Sequence, residues 1–283
     1  MTLIQAVILG IVQGLTEFVP ISSSAHLIII PWLFHWDDPS LAFDIALHLG
    51  TLVALLWYFA ADWVRLFRAG ISSIIEWKIG NDPDRKLAWL LIIGCIPGAI
   101  VGMLSESKIE ELFHKPDTPH TATAMIVMAV IIILLGIALF VTERMARHQR
   151  RLDGLSFKDA VVIGLAQALA IFPGVSRSGS TITAGLASGF RREDAARFSF
   201  LLAAPIIVGA GLMGVFDVYT GLKTGAMAQS ELILFAIGFI AAAVSGYLCI
   251  KFLLRFLQRN STDIFVYYRW ILAVLIIIVA LAR

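Results

Sequence analysis

Long apolar segments are the feature that most limits the structures this chain can adopt. Of its 283 residues, 59% are hydrophobic and only 15% are charged, whereas soluble domains have about 25% charged residues. Five segments are long enough to cross the ~30 Å core of a bilayer as helices, and a sixth is slightly short but strongly apolar. They are residues 41–60, 87–105, 121–142, 196–216, 231–254 and, as the short one, 266–282. We predict an all-α integral membrane protein with six transmembrane helices and no nucleic-acid partner.

Two further apolar regions are interrupted by polar and helix-breaking residues. In residues 2–34 the interruption is Pro20 and three serines from Ser22, and in residues 156–189 it is a Pro-Gly pair at Pro173 followed by serines and an arginine. Each fragment has about 12–17 residues, which is too short to span a bilayer untilted. Irregular backbone at membrane depth is tolerated only where it is buried in protein or lines a polar cavity. We therefore predict two re-entrant helix pairs, each returning to the side from which it entered.

Positive charges alternate between the loops of this arrangement. Lys and Arg are frequent in residues 60–86, 143–158, 190–197 and 255–269, the last including Arg269. The intervening loops contain few, namely Lys108, Lys115 and Lys223. Loops rich in Lys and Arg stay in the cytoplasm. The alternation holds only if both broken regions are re-entrant, and it places both termini outside.

The two broken regions are copies of one pattern. Residues 2–26 and 156–180 are identical at eight of 25 positions when aligned at an offset of 154. Each copy is followed by three predicted crossings, an odd number, so the copies have opposite orientations. We predict an inverted repeat within a single membrane domain, with residues 1–145 as the first half and 146–283 as the second. Polar sites of such folds lie near the midplane, where the repeats meet.

The first break carries an acid, hydroxyls and an imidazole. Gln13 and Glu17 are four residues apart on a helix and share a face. Pro20 ends that helix, and the serines that follow, which include Ser22, Ser23 and Ser24, are favoured at the start of the next one. His26 lies one turn after Ser23, so this serine and histidine resemble a nucleophile and its base. An equally open alternative has His26 as nucleophile and Ser23 as a phosphate ligand.

The second break replaces the acid with a guanidinium. Arg177 lies between Ser176 and Ser178, with Gly179 and Thr181 in the next turn. An arginine at membrane depth is costly and needs an anionic partner. A helix N-terminus offers free N–H groups and the positive end of a dipole. We predict that two such ends, together with Arg177, form a pocket for phosphate oxygens, although Glu17 and Arg177 as a purely structural ion pair is an alternative.

Two more polar residues and a metal ion enter these predictions. Asp44 and His48 are one turn apart on the predicted third helix. Either both residues line the same cavity, or Asp44 lies at the membrane interface. Glu17 has the oxygen ligands that Mg²⁺ or Ca²⁺ prefers. Taken together, the carboxylate, the hydroxyls, the imidazole and the guanidinium of the two breaks suit phosphoryl transfer to water.

The two polar runs resemble the signature motifs of the undecaprenyl pyrophosphate phosphatase family of the bacitracin-resistance type. The first is Gln13-x-x-x-Glu17 followed by Pro20-x-Ser22-Ser23-x-x-His26, and the second is Pro173-Gly-x-Ser176-Arg177-Ser178-Gly179-x-Thr181. The resemblance covers essentially the whole chain. It implies an enzyme that removes the terminal phosphate of undecaprenyl pyrophosphate, the lipid carrier of cell-wall synthesis. It further implies a divalent-metal-dependent homodimer in the bacterial inner membrane, with its active site open to the periplasm.

The resemblance also implies roles for individual residues. By motif, the catalytic residues are Glu17, Ser23, His26 and Arg177, with Glu17 as metal ligand, and Ser22, Ser176, Ser178 and Thr181 bind phosphate. The predicted phosphate-binding residues also include Gln13, Ser24 and Gly179. Some members have glutamate where this chain has Gln13, which cannot ionise and is at most a neutral ligand.

Two other functions use similar features. Broken helices in inverted repeats are typical of transporters, so a transporter or flippase for a phosphorylated polyprenyl lipid is the main alternative. A nucleophile beside a base favours catalysis over transport. A type-2 phosphatidic acid phosphatase performs related chemistry, but we find no counterpart of its lysine–arginine motif in this chain.

Overall fold

The computed structural model describes residues 1–113, 121–224 and 231–283, and this part of the chain is helical. It contains eleven α-helices and two short 3-10 turns, Leu152–Gly154 and Leu169–Ile171. The helices are α1 (Leu3–Thr16), α2 (Ser23–Phe34), α3 (Leu41–Tyr58), α4 (Ala60–Ile75), α5 (Pro83–Phe113), α6 (Ala122–Met145), α7 (Phe157–Ala168), α8 (Arg177–Ala187), α9 (Arg192–Thr224), α10 (Glu231–Leu257) and α11 (Asp263–Ala282).

Six of these helices are long and apolar enough to cross a membrane, namely α3, α5, α6, α9, α10 and α11. They coincide with the six predicted segments, so the prediction of six candidate spans in an all-helical protein is confirmed for the described residues. Lys115 and the side chain of Lys108, which entered the loop-charge argument, lie outside what the structure describes.

Two sequence assignments are corrected. Residues 60–75, taken as part of a basic loop, form the amphipathic helix α4, because the charged residues occupy one side of a helix rather than a connection. Arg269, assigned to the loop before the last span, lies inside α11 and is only 1% exposed. Arg269 lies near the start of an apolar segment, and this position alone did not show whether the arginine was in a loop or buried in the helix.

The two broken regions each form a pair of short helices. Helices α1 and α2 have 14 and 12 residues, and α7 and α8 have 12 and 11. Capping boxes begin α1 and α7, with Thr2 bonded to Gln5 and Ser156 bonded to Asp159. The two pairs therefore begin in the same way, as the internal repeat indicated.

Small residues let the short helices pack closely on the long ones. Gly14 of α1 lies against the backbone of Ala242 and Gly246 in α10, and Gly164 of α7 lies against the backbone of Gly94 in α5. A β-carbon at Gly14 or Gly164 would clash with the neighbouring helix. These contacts fix α1 and α7 and so position the ends at which the chain breaks.

The core continues around the breaks. Phe18, just after α1, is fully buried and meets Phe200 of α9 edge to face, with 5.3 Å between ring centroids. Aromatic pairs of this geometry contribute about 0.5–1.5 kcal/mol beyond the area they bury. The irregular backbone after α1 is therefore held inside protein, as irregular structure at membrane depth must be.

Candidate active site

Residues from both breaks meet at the carboxylate of Glu17, which is 6% exposed at the end of α1. Its Oε1 accepts a hydrogen bond from Arg177 Nη2 at 2.8 Å. Its Oε2 accepts one from the Ser23 hydroxyl at 2.6 Å and one from Gln13 Nε2 at 3.1 Å. An ion pair, a hydroxyl and an amide are thus assembled from sequence positions up to 160 residues apart.

Local structure explains the first half of this cluster. Helical spacing places Gln13 above Glu17, and the Glu17 N–H still donates to the Gln13 carbonyl at 2.9 Å. The chain then turns through Pro20 and begins α2 at Ser23. This tight turn brings the hydroxyl of Ser23 back to the carboxylate six residues earlier.

Arg177 is the first residue of α8, and its guanidinium also contacts α9. Its Nη1 donates to the Ser199 carbonyl at 3.3 Å. The Thr181 hydroxyl donates to the Arg177 carbonyl at 2.7 Å and lies 2.6 Å from the Ser199 hydroxyl. The Thr181 hydroxyl thus holds the first turn of α8, which carries Arg177, and its predicted role in phosphate binding stays a prediction.

The two helix starts have the same unusual geometry. Ser22 and Ser176, the N-caps of α2 and α8, have φ values of +77° and +67°, a region that residues other than glycine rarely occupy. The hydroxyls of Ser22 and Ser24 are 3.2 Å apart, and those of Ser176 and Ser178 are 3.3 Å apart. Strain of this kind is maintained at functional sites when the surrounding structure holds it in place.

The two breaks also contact each other directly. The Ser178 hydroxyl donates to the Val19 carbonyl at 3.0 Å. Since Ser178 belongs to the first turn of α8 and Val19 to the turn after α1, this bond joins the second helix start to the first break. Two helix N-termini and Arg177 therefore provide positive potential around one small region.

The His26 ring does not hydrogen-bond to Ser23 in this structure, so the two side chains are not arranged as the predicted nucleophile and base. Its Nδ1–H donates to the Ser22 carbonyl at 2.6 Å, and its Nε2 accepts from the Tyr268 hydroxyl at 2.7 Å. The rings of His26 and Tyr268 also stack, with 5.7 Å between centroids. The one-turn spacing was read correctly, but the imidazole bonds back to its own helix start. The carboxylate of Glu17, not the His26 ring, accepts the hydrogen bond of the Ser23 hydroxyl.

Helix α11 supplies two residues that the sequence interpretation missed, Tyr268 and Arg269. Arg269 donates from Nε to the Pro20 carbonyl, and its guanidinium occupies the space where a side chain at Gly179 would lie. Gly179 thus makes room for Arg269. The available signal was a Tyr-Arg pair at the start of an apolar segment, where an arginine needs a partner.

His48 of α3 reaches the same carboxylate. Its Nε2 lies 3.7 Å from Glu17 Oε2, and its Nδ1–H donates to the Asp44 carbonyl at 2.8 Å. The His48 side chain is 35% exposed, against 5% for that of Glu17. His48 therefore lines the site at its open side, and the contribution of Asp44 to this geometry is its backbone oxygen.

Oxygen atoms suitable for a divalent cation are present at Glu17. The Gln13 amide is bonded to Glu17 through Nε2, while its Oε1 is buried and has no hydrogen-bond partner. Carboxylate and amide oxygens are the ligands that Mg²⁺ and Ca²⁺ prefer, and Mg²⁺ commonly adds substrate phosphate oxygens. Among the described residues, no group of three or more His, Cys, Asp or Glu side chains is placed to hold a metal ion, so a cation here fits only with ligands from a bound phosphate.

Comparisons with known proteins agree over almost the whole chain. The family model described as bacitracin resistance protein BacA matches residues 6–275. A protein of Thermomicrobium roseum named undecaprenyl-diphosphatase is 48% identical over 280 residues, which cover 99% of each chain. Proteins of the same name from Moorella thermoacetica and Caldicellulosiruptor bescii are 46% and 44% identical, and the matches cover at least 98% of each chain. This chain belongs to the bacitracin resistance protein BacA family.

Proposed function

We infer that this protein is an undecaprenyl-diphosphatase, which hydrolyses undecaprenyl pyrophosphate to undecaprenyl phosphate and inorganic phosphate and so confers bacitracin resistance. The observation that carries the chemistry is the 2.6 Å hydrogen bond from the Ser23 hydroxyl to Glu17, beside the guanidinium of Arg177. A hydroxyl, a base and a cation are the groups that phosphoryl transfer requires. A membrane site also suits this substrate, since extracting a lipid tail into water costs about 0.8 kcal/mol per CH₂ group.

In the first step Ser23 is the nucleophile. Its proton passes to Glu17 Oε2 while Oγ attacks the terminal phosphorus, and the bridging P–O bond breaks. Undecaprenyl phosphate leaves and takes up the proton from Glu17. Arg177 and the N–H groups at the starts of α2 and α8 stabilise the negative charge on the phosphoryl oxygens.

In the second step water completes the hydrolysis. Glu17 accepts a proton from the water, whose oxygen attacks the phosphorus of phosphoserine, and Ser23 Oγ leaves and regains a proton. His26 supports this site from its position one turn along α2, where Ser22 and Tyr268 orient it. The serines at the two helix starts, Ser22, Ser24, Ser176 and Ser178, remain the proposed phosphate ligands.

A divalent cation, Mg²⁺ or Ca²⁺, belongs to this proposal. Glu17 and Gln13 would hold it, and the buried unpartnered Oε1 of Gln13 supports that assignment. When bound, it would neutralise charge on the pyrophosphate. Glu17→Gln should remove or shift the metal requirement; an unchanged metal titration would exclude Glu17 as a ligand.

The architecture that we propose is an inverted-topology repeat of residues 1–145 and 146–283, with α1–α2 and α7–α8 as re-entrant pairs. Their matched capping boxes and matched serine N-caps support it. The loop charges support cytoplasmic basic loops, and hence an active site open to the periplasm of the bacterial inner membrane. The proposed homodimer follows from the family resemblance, and light scattering of purified protein in detergent tests it.

Phosphate release from undecaprenyl pyrophosphate by purified Ser23→Ala and Ser24→Ala variants tests the function. Ser23→Ala should lose at least 100-fold in kcat, on the order expected for a lost nucleophile or base, and Ser24→Ala should lose much less because its hydroxyl bonds to Ser22 rather than Glu17. Binding of the lipid without turnover by the wild-type protein would contradict the proposal and favour a transporter.

A further inference from the structure

His48 has the geometry of a metal-binding histidine rather than of an ion-pair partner. Its Nδ1–H donates to the Asp44 carbonyl at 2.8 Å, so in the neutral ring the lone pair is on Nε2. That is the nitrogen that faces Glu17. Histidines that ligate metals almost always donate their other ring N–H to a carboxylate, a backbone carbonyl or water.

The distance to Glu17 supports the same interpretation. Nε2 of His48 and Oε2 of Glu17 are 3.7 Å apart, whereas a charge-assisted hydrogen bond would bring them to about 2.7–2.9 Å. Two ligand atoms that are each about 2.0–2.2 Å from one ion lie roughly 3–4 Å from each other. The gap between the two side chains thus has the width that a shared cation requires.

The surroundings are those of a partly open site. The buried Gln13 Oε1, which lacks a hydrogen-bond partner, belongs to a side chain that already contacts Glu17. Arg177 engages the other carboxylate oxygen, Oε1, while Oε2 faces His48 and also accepts the hydrogen bonds from Ser23 and Gln13. The partial exposure of His48 gives a cation and its phosphate ligands a route in.

We propose that His48 Nε2 is a nitrogen ligand of the divalent cation held at Glu17 and Gln13. The inference rests on the cation of the proposed function and adds an imidazole to its oxygen ligands. For sites with nitrogen ligands, the affinity of divalent first-row transition metals rises from Mn²⁺ to Cu²⁺, whereas Ca²⁺ takes oxygen ligands. The site of this chain should therefore favour Mn²⁺ over Ca²⁺.

The experiment uses the full chain in detergent with inorganic phosphate and with Mn²⁺ as the only added metal. Electron spin echo envelope modulation reports nitrogen bound to Mn²⁺, and growth with ¹⁵N-histidine identifies that nitrogen as histidine without any mutation. The variant is His48→Gln, which keeps a polar side chain of similar length. The matched control is His148→Gln, since His148 is also 3.7 Å from a buried glutamate, Glu143, but donates from Nε2 to a backbone carbonyl.

The inference expects histidine nitrogen coupling in the wild-type protein and in His148→Gln, and its loss in His48→Gln. The Mn²⁺ affinity should fall at least about tenfold in His48→Gln, with a smaller change for Ca²⁺. Bound Mn²⁺ without histidine coupling would overturn the inference alone. Failure of Mn²⁺ to bind at all would overturn both the inference and the proposed cation, and phosphate release from the same preparation would show whether the phosphatase assignment stands.

Discussion

At the scale of single residues, the site depends on how Glu17 divides its two oxygens. One oxygen is neutralised by Arg177, and the other receives the hydroxyl of Ser23. A buried carboxylate without a partner is strongly destabilising. In the proposed mechanism Arg177 therefore has two tasks, since it pairs with the Glu17 carboxylate and stabilises the negative charge that develops on the phosphoryl oxygens.

Replacing Arg177 separates this account from a structural ion pair. Arg177→Ala should lower kcat for phosphate release by at least about 100-fold. Arg177→Lys should restore little, because an ammonium cannot replace the planar guanidinium that reaches both Glu17 and the Ser199 carbonyl. Arg259→Ala, at an exposed position, is the control. Near-normal kcat in either Arg177 variant, in protein that elutes as the wild type does, would contradict the role of Arg177.

Tyr268 should affect catalysis through His26. Tyr268→Phe keeps the stacked ring but removes the hydroxyl that donates to His26 Nε2. Because one hydrogen bond is worth about 0.5–1.5 kcal/mol, kcat should fall up to about tenfold while KM changes little. The neighbouring Tyr267→Phe, which does not contact His26, should leave both constants unchanged. If both variants changed KM equally and left kcat unchanged, Tyr268 would not act by positioning His26.

Some of these contacts were predictable from the sequence and others were not. Helical spacing and N-cap preference are local rules, and they correctly put Gln13 beside Glu17 and a serine at each helix start. The partner of His26 is Tyr268, 242 residues away, and no local rule selects it. The backbone carbonyl of Ser22 accepts the hydrogen bond of His26 Nδ1–H. This bond orients the imidazole so that it does not hydrogen-bond to Ser23.

At the scale of helices, the length of the apolar segments correctly identified the six candidate spans. The amphipathic pattern of residues 60–75 indicated a further helix, α4, that the sequence interpretation treated as a loop. Helix α4 has exposed apolar residues such as Phe67 and Ile74 and an ion pair between Asp62 and Arg65. This is the composition of a helix that lies in a membrane interface. Counting its arginines as loop charges hid this helix.

The close approach of α7 to α5 makes Gly164 sensitive. Gly164→Ala places a methyl group against the backbone of Gly94, and overpacking of this kind costs typically 1–3 kcal/mol. Gly209→Ala is a matched helical change with no atom near the added carbon, so it should be neutral or slightly stabilising. Thermal unfolding followed by tryptophan fluorescence compares the two. Equal midpoints would show that the α5–α7 contact is looser than described.

At the scale of the whole molecule, the orientation of the chain in the membrane depends on all of its loops together, and it can be tested directly. Single cysteines replace Asp37 and Arg147, both exposed, in a chain whose Cys95 and Cys249 are changed to serine. Because loop charges place residues 35–40 outside, an impermeant maleimide should label the cysteine at Asp37 in intact cells and that at Arg147 only after lysis. The reverse pattern would invert the proposed topology and place the active site on the cytoplasmic side.

The proposed function depends on one chemical event, the attack of Ser23 on phosphorus with Glu17 as its base. Rapid quenching during turnover of undecaprenyl pyrophosphate, in acid and in alkali to preserve phosphoserine and phosphohistidine respectively, followed by peptide mass spectrometry, tests it most directly. The account predicts phosphate on Ser23 in the acid-quenched sample and none after Ser23→Ala. Phosphate on His26, or no phosphorylated peptide under conditions where wild-type protein turns over, would contradict it.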